Sequence, residues 1–149
     1  MPPIRSALRT GCLSIFGIFL LFIVFIGLLS HARFQAKIWE FKISGGAPVL
    51  RAACQELKPA LLESRDRILL FRDVELPPEN PLHKLRPQFI ILGSHDGTDV
   101  YTIQISGGFY HAGYIIFDDK DKAPEKLRYG QNGNWKVKHI GEGVFVYQE

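Results

Sequence analysis

The stretch QFIILGSHDGTDVYTIQISGGFYHAGYIIF, residues 88–117, decides the fold. It opens on an apolar run, Gln88–Leu92, and then meets Asp96-Gly97, a dipeptide that supplies the left-handed backbone of a tight hairpin turn. From Asp99 to Ser106 the residues alternate. Tyr101, Ile103 and Ile105 point one way; Thr102, Gln104 and Ser106 point the other. Period two is the signature of a half-buried strand. Gly107-Gly108 marks a turn or bulge, and Ala112–Phe117 reads as the next strand.

Toward the C-terminus, the charged stretch Asp118–Lys122 reads as a solvated loop. Asn132-Gly133 signals a hairpin between Leu127–Tyr129 and Trp135–Ile140. Gly141-Glu142-Gly143 turns into a last strand, Val144–Tyr147. His139 shares its alternation with Trp135 and Val137, so it is expected to face the core. Strands joined by short turns without intervening helices predict an antiparallel meander.

Toward the N-terminus comes DVELPPENPLHKLRP, residues 73–87. Its four prolines rule out long regular elements. It is expected to cross the surface with one helical turn at Leu82–Leu85, pinned to the core by Leu76, Leu82 and Leu85. Ile68–Phe71 reads as a short strand. Before it, Pro48 opens a helix whose apolar stripe is Val49, Leu50, Ala53, Cys54 and Leu57. Pro59 is expected to interrupt that helix or to start another through Ala60-Leu61-Leu62. The class is therefore α+β, with one or two helices packed on an antiparallel sheet of about five or six strands.

The first third of the chain is different. LSIFGIFLLFIVFIGLL, Leu13–Leu29, is seventeen residues without a charge or a proline. With its flanks it approaches the length of roughly 20 residues needed to cross a bilayer. The expected organisation is a short basic cytoplasmic N-terminus over residues 1–12 and a transmembrane signal anchor over 13–30, in contact with lipid. A juxtamembrane connector over 31–46 and an extracytoplasmic α+β domain over 47–149 follow. Arg5 and Arg9 favour a cytoplasmic N-terminus by the positive-inside bias. Arg33, Lys37 and Lys42 on the other flank keep the inverse orientation open. Ser30-His31-Ala32 offers a small-x-small cleavage pattern, the alternative of a removed signal peptide, although the apolar run exceeds the usual length of about 7–15 residues. Residues 34–43 either continue the membrane helix or pack on the domain through Phe34, Ile38 and Phe41, and Gly45-Gly46 ends the segment.

A basic leader ending at Gly11, a long apolar helix and a following antiparallel sheet resemble a type IV pilin or pseudopilin. The resemblance covers the N-terminal third and the general layout. It implies a filament subunit whose apolar helix continues past residue 33. The glutamate that this family carries five residues after its cleaved glycine falls at Phe16 here.

Composition narrows function. Two of the 18 basic residues, Arg5 and Arg9, precede the apolar run, which leaves 16 against 15 acidic residues. That balance argues against a nucleic-acid surface, which needs a clustered positive footprint. Two cysteines make no disulfide framework, and Cys54 lies in an apolar stripe rather than beside the positive charge that activates a thiol. There is no metal-binding or catalytic motif: Asp118-Asp119-Lys120-Asp121 lacks the central glycine and closing glutamate of a calcium loop. No cofactor, metal or catalytic residue is expected. The most distinctive string, Gly107–Tyr114, lies between strands and so is no dinucleotide loop. It suggests an aromatic recognition surface of Tyr101, Phe109, Tyr110, His111, Tyr114 and Tyr147. The expected function is a non-enzymatic interaction or scaffolding module of the cell envelope, with a protein partner at the membrane surface. The alternative is an enzyme with a scattered site around His95, Asp99 and His111, for which convergence of the three side chains is the requirement.

Overall fold

The computed structural model describes residues 4–106, 111–130, 133 and 135–149. The chain divides into two compact units, Met1–Ala36 and Lys37–Glu149. The first is helical. Helix α1 spans Ile4–Ile43, and eleven large apolar side chains between Ile18 and Leu29 are exposed, from 42% at Leu29 to 70% at Leu21. Gly17–Lys42 is long and apolar enough to cross a membrane.

In the second unit, the last turns of α1 belong to the domain core. Phe41 is buried, and its ring tilts against Tyr114 with centroids 5.7 Å apart. The Tyr114 hydroxyl donates to the Lys37 carbonyl at 2.5 Å. The chain reverses at Ser44-Gly45 and enters helix α2, Gly46–Glu63. Ala47, Leu50, Ala53, Cys54, Leu57 and Leu61 are its buried side, whereas Val49, expected in that stripe, is 43% exposed. Pro59 does not interrupt α2. It lies on the solvent side, where the carbonyl four residues back that its ring displaces can turn to water.

Strand β1, Ile68–Leu70, follows, and Leu82–Leu85 forms the single helical turn α3. Leu82 and Leu85 are both buried and pin the proline-rich crossing. The remaining strands are β2 (Phe89–His95), β3 (Thr98–Ser106), β4 (Ala112–Phe117), β5 (Lys136–Gly141) and β6 (Val144–Gln148). All neighbours are antiparallel.

The strand order is β1-β2-β3-β4-β6-β5, not a simple meander. The composition of the last two strands explains the exchange. Every residue of β4 and β6 is buried, so both require neighbours on both edges. β5 exposes Lys136, Lys138 and His139, and charged side chains suit an edge, where they discourage further pairing. His139 therefore does not enter the core; its ring lies 4.7 Å from that of Phe145 but remains exposed.

Register separates the two faces. Leu92, Tyr101 and Ile116 are aligned on one face, as are Ile90, Ile103, Tyr114 and Val146. Helix α2 covers this face: Lys58 Nζ reaches Asp99 at 2.6 Å, and Arg51 Nε donates to the Phe117 carbonyl at 2.8 Å. Arg51 also donates to the carbonyl of Glu142 in the β5–β6 turn. On the opposite face Val100, Ile115, Phe117, Phe145 and Tyr147 form a second apolar cluster. Ala123, Leu127, Tyr129 and Trp135 cover it. Leu127–Tyr129, expected as a strand, is thus a cover segment: its apolar residues are satisfied by packing on the sheet, not by joining it.

Gly113 sits where β4 leaves no room for a side chain between its neighbours β3 and β6. A Cβ there would lie 1.9 Å from the Ile103 carbonyl oxygen and 3.0 Å from the Tyr147 hydroxyl. We expect Gly113→Ala to lower the unfolding free energy by about 3 kcal/mol, the upper end of overpacking costs, as read by urea denaturation. A loss below about 1 kcal/mol would contradict this packing.

Candidate functional site

The cover on the second face is built around Trp135. Its indole stacks on Tyr147, with centroids 5.5 Å apart and planes at 18°. His111 stacks on it at 5.4 Å and 12°. Tyr129 meets it edge-on at 5.3 Å, and the Trp135 amide donates to the Tyr129 carbonyl at 3.2 Å. Gly130 makes this possible, because a Cβ there would fall 2.3 Å from the indole. Offset aromatic contacts of this kind each add about 0.5–1.5 kcal/mol beyond simple burial.

The cover is incomplete. Beside Leu127-Arg128-Tyr129 the same face of β2 is only partly covered, at Ile91, leaving a groove of about 290 Å³. Ile91, Val100, Ile115 and Phe117 provide an apolar floor; Ser94, His95, Thr102 and Arg128 supply the polar groups. The His95 ring stands edge-on to Phe117 at 5.6 Å. Arg128 is exposed. An apolar floor with a few polar groups around it is the chemistry of a recognition site. This groove suits an apolar side chain carried next to a hydrogen-bonding or acidic group.

The six aromatic residues read from the sequence are distributed differently. Tyr101 and Tyr114 are buried on the α2 face, and Tyr147 is buried on the opposite face beneath Trp135. The sheet separates them, as strand parity requires. His111 is half-buried and ends the Trp135 stack, with Nε2 3.6 Å from Glu149. Phe109 and Tyr110, with the Gly107-Gly108 turn, lie outside the described residues. The groove residues Ile91 and Arg128, and the covering role of Trp135, escaped sequence reading. Gly130, left-handed at φ 86°, was the one local signal that a bulky ring passes close.

His95, Asp99 and His111 do not converge. Asp99 lies on the α2 face, held by Lys58, and His95 on the groove face. His111 adjoins the Ala112–Ser106 pair, at the far end of β3 from Asp99. The seven residue steps from Asp99 to Ser106 correspond to about 23 Å of strand. Among the described residues no group of three His, Cys, Asp or Glu side chains could hold a metal ion. In the acidic loop, the Asp119 carboxylate accepts from the Asp121 amide at 3.1 Å.

Burial pushes the Cys54 thiol up to about 12, reinforced by Asp118 and opposed by Arg51. Such a thiol stays protonated and is a poor nucleophile. Burial also raises the hydroxyls of Tyr101, Tyr114 and Tyr147. No family model, curated protein or solved structure matches this chain.

Two expectations follow from these buried groups. The Tyr101 hydroxyl is buried with no hydrogen-bond partner among the described residues, whereas that of Tyr114 has one. Removing an unsatisfied hydroxyl relieves a desolvation cost, and removing a satisfied one strands its partner. Tyr101→Phe should therefore raise the unfolding free energy by about 1 kcal/mol and Tyr114→Phe should lower it by a similar amount. Equal signs in denaturant titrations would contradict the geometry. For Cys54, the folded state keeps its proton where the unfolded state, near 9, loses it. The unfolded chain then binds fewer protons, so stability falls as pH rises from 9 toward 12. We expect Cys54→Ala to flatten that alkaline decline in thermal melts; an unchanged slope would refute the assignment.

Proposed function

We propose that this chain is a single-pass, membrane-anchored interaction module of the cell envelope, with a cytoplasmic N-terminus and an extracytoplasmic domain. One observation carries the reading: the continuous band of exposed apolar side chains from Ile18 to Leu29. In water such a band is unfavourable by about 25 cal/mol per Å² of apolar surface; in a bilayer it is solvated. An anchor also confines the domain to a surface, which raises its effective concentration toward partners there. The groove beside Leu127–Tyr129 is the surface we assign to a partner, as a seat for an apolar side chain. The splayed positions of His95, Asp99 and His111 favour recognition over the scattered-site enzyme.

A second reading, the pilin-like filament subunit, has one specific support: α1 runs without interruption past residue 33 to Ile43. Phe16 at the family's glutamate position weighs against it.

The test is the intact mass of the protein in carbonate-washed membranes and in the soluble fraction. We expect the full-length chain in the washed membranes. A soluble chain beginning at Arg33 would overturn the anchor, and a chain beginning at Cys12 would favour the filament subunit.

A further inference from the structure

The second unit is electrically neutral as a whole: residues 37–149 carry 15 basic and 15 acidic side chains. Its charge is not evenly spread. An open depression of about 790 Å³ is lined by Lys37, Glu40, His83, Lys84, Leu85, Arg86 and Ile105. The single carboxylate there is already engaged, because Lys37 Nζ sits 2.8 Å from Glu40. Lys84 and Arg86 are exposed and have no ion-pair partner among the described residues.

The cations are held in place by the fold. Leu82 and Leu85 are buried and fix α3, and His83 Nε2 lies 3.3 Å from the Leu76 carbonyl. Arg86 adopts left-handed backbone, φ 47° and ψ 56°, and its amide donates to the Leu82 carbonyl at 3.0 Å. A non-glycine residue rarely occupies that region, and this backbone sets the direction in which the Cα–Cβ bond of Arg86 leaves the turn. A guanidinium and two ammonium groups around one opening are the donors that phosphate oxygens need.

Chain connectivity supplies the ligand's source. Lys37 follows Leu29, the end of the apolar run, by eight residues. Whatever the angle between the two units, a chain cannot extend beyond about 3.6 Å per residue. If the run spans a bilayer, the depression is confined to the vicinity of the headgroups. We propose that Lys84 and Arg86, with Lys37, bind the phosphate of an anionic phospholipid headgroup. This rests on the anchor reading above and adds to it a lipid preference.

The test reconstitutes the full chain in nanodiscs of phosphatidylcholine, alone or mixed with phosphatidylglycerol. A brief amine-acylation pulse is then read lysine by lysine by mass spectrometry. Exposed Lys42, on the same tether but outside the depression, reports the general surface potential. We expect phosphatidylglycerol to slow acylation of Lys84 about fivefold relative to Lys42, the equilibrium worth of one basic side chain near an anionic surface. Arg86→Gln should remove that difference. Equal slowing at Lys42 and Lys84 would overturn the site, leaving only surface potential. Equal protection by inorganic phosphate added to phosphatidylcholine discs would overturn the lipid as its source. A chain that fails to remain in the discs would overturn the anchor itself, and the headgroup site with it.

Discussion

The strands β4 and β6 have no face that can meet water. From Ala112 to Phe117 and from Val144 to Tyr147 every residue is buried. An antiparallel strand commonly keeps one face solvated; these two cannot, and the rest of the domain answers that demand. Helix α2 and the last turns of α1 cover one side, through Phe41 on Tyr114 and Lys58 at Asp99. Ala123, Leu127, Tyr129 and Trp135 cover the other, with Trp135 stacked on Tyr147. β5, which carries lysines, is displaced to the edge so that β6 can sit beside β4.

The candidate groove follows from where the second cover ends. Leu127 and Tyr129 close over the β4–β6 half of the face, while Ile91 on β2 remains only half-buried. The apolar floor is thus continuous with the core, but its cover is incomplete over β2. The basic depression has a separate origin: it is assembled where the proline-rich crossing, anchored by Leu82 and Leu85, runs beside Lys37 and Glu40.

Much of this architecture was legible locally. The alternation of residues 99–106 put Tyr101 and Ile103 on one face, where register aligns them with Ile116 and Tyr114. The stripe ending at Leu57 marked α2, and the four prolines of residues 73–87 marked the irregular crossing. What escaped was non-local. A proline such as Pro59 reads as a helix break unless one knows that its side of the helix faces solvent. Leu127 and Tyr129 have strand periodicity, but that pattern cannot tell pairing within a sheet from packing across it. The aromatic surface inferred from Tyr101, Tyr114 and Tyr147 grouped residues by type, whereas the sheet divides them by parity.

The most direct test of the central claim is native-state hydrogen exchange of the full chain, resolved by residue. If β4 and β6 form a pair covered on both faces, the amides of Ile115, Ile116, Phe145 and Val146 should exchange only through global unfolding and be the slowest of the second unit. Those of edge strand β5 should exchange earlier, through local opening. Equal or faster exchange in β4 and β6 than in β5 would contradict the account.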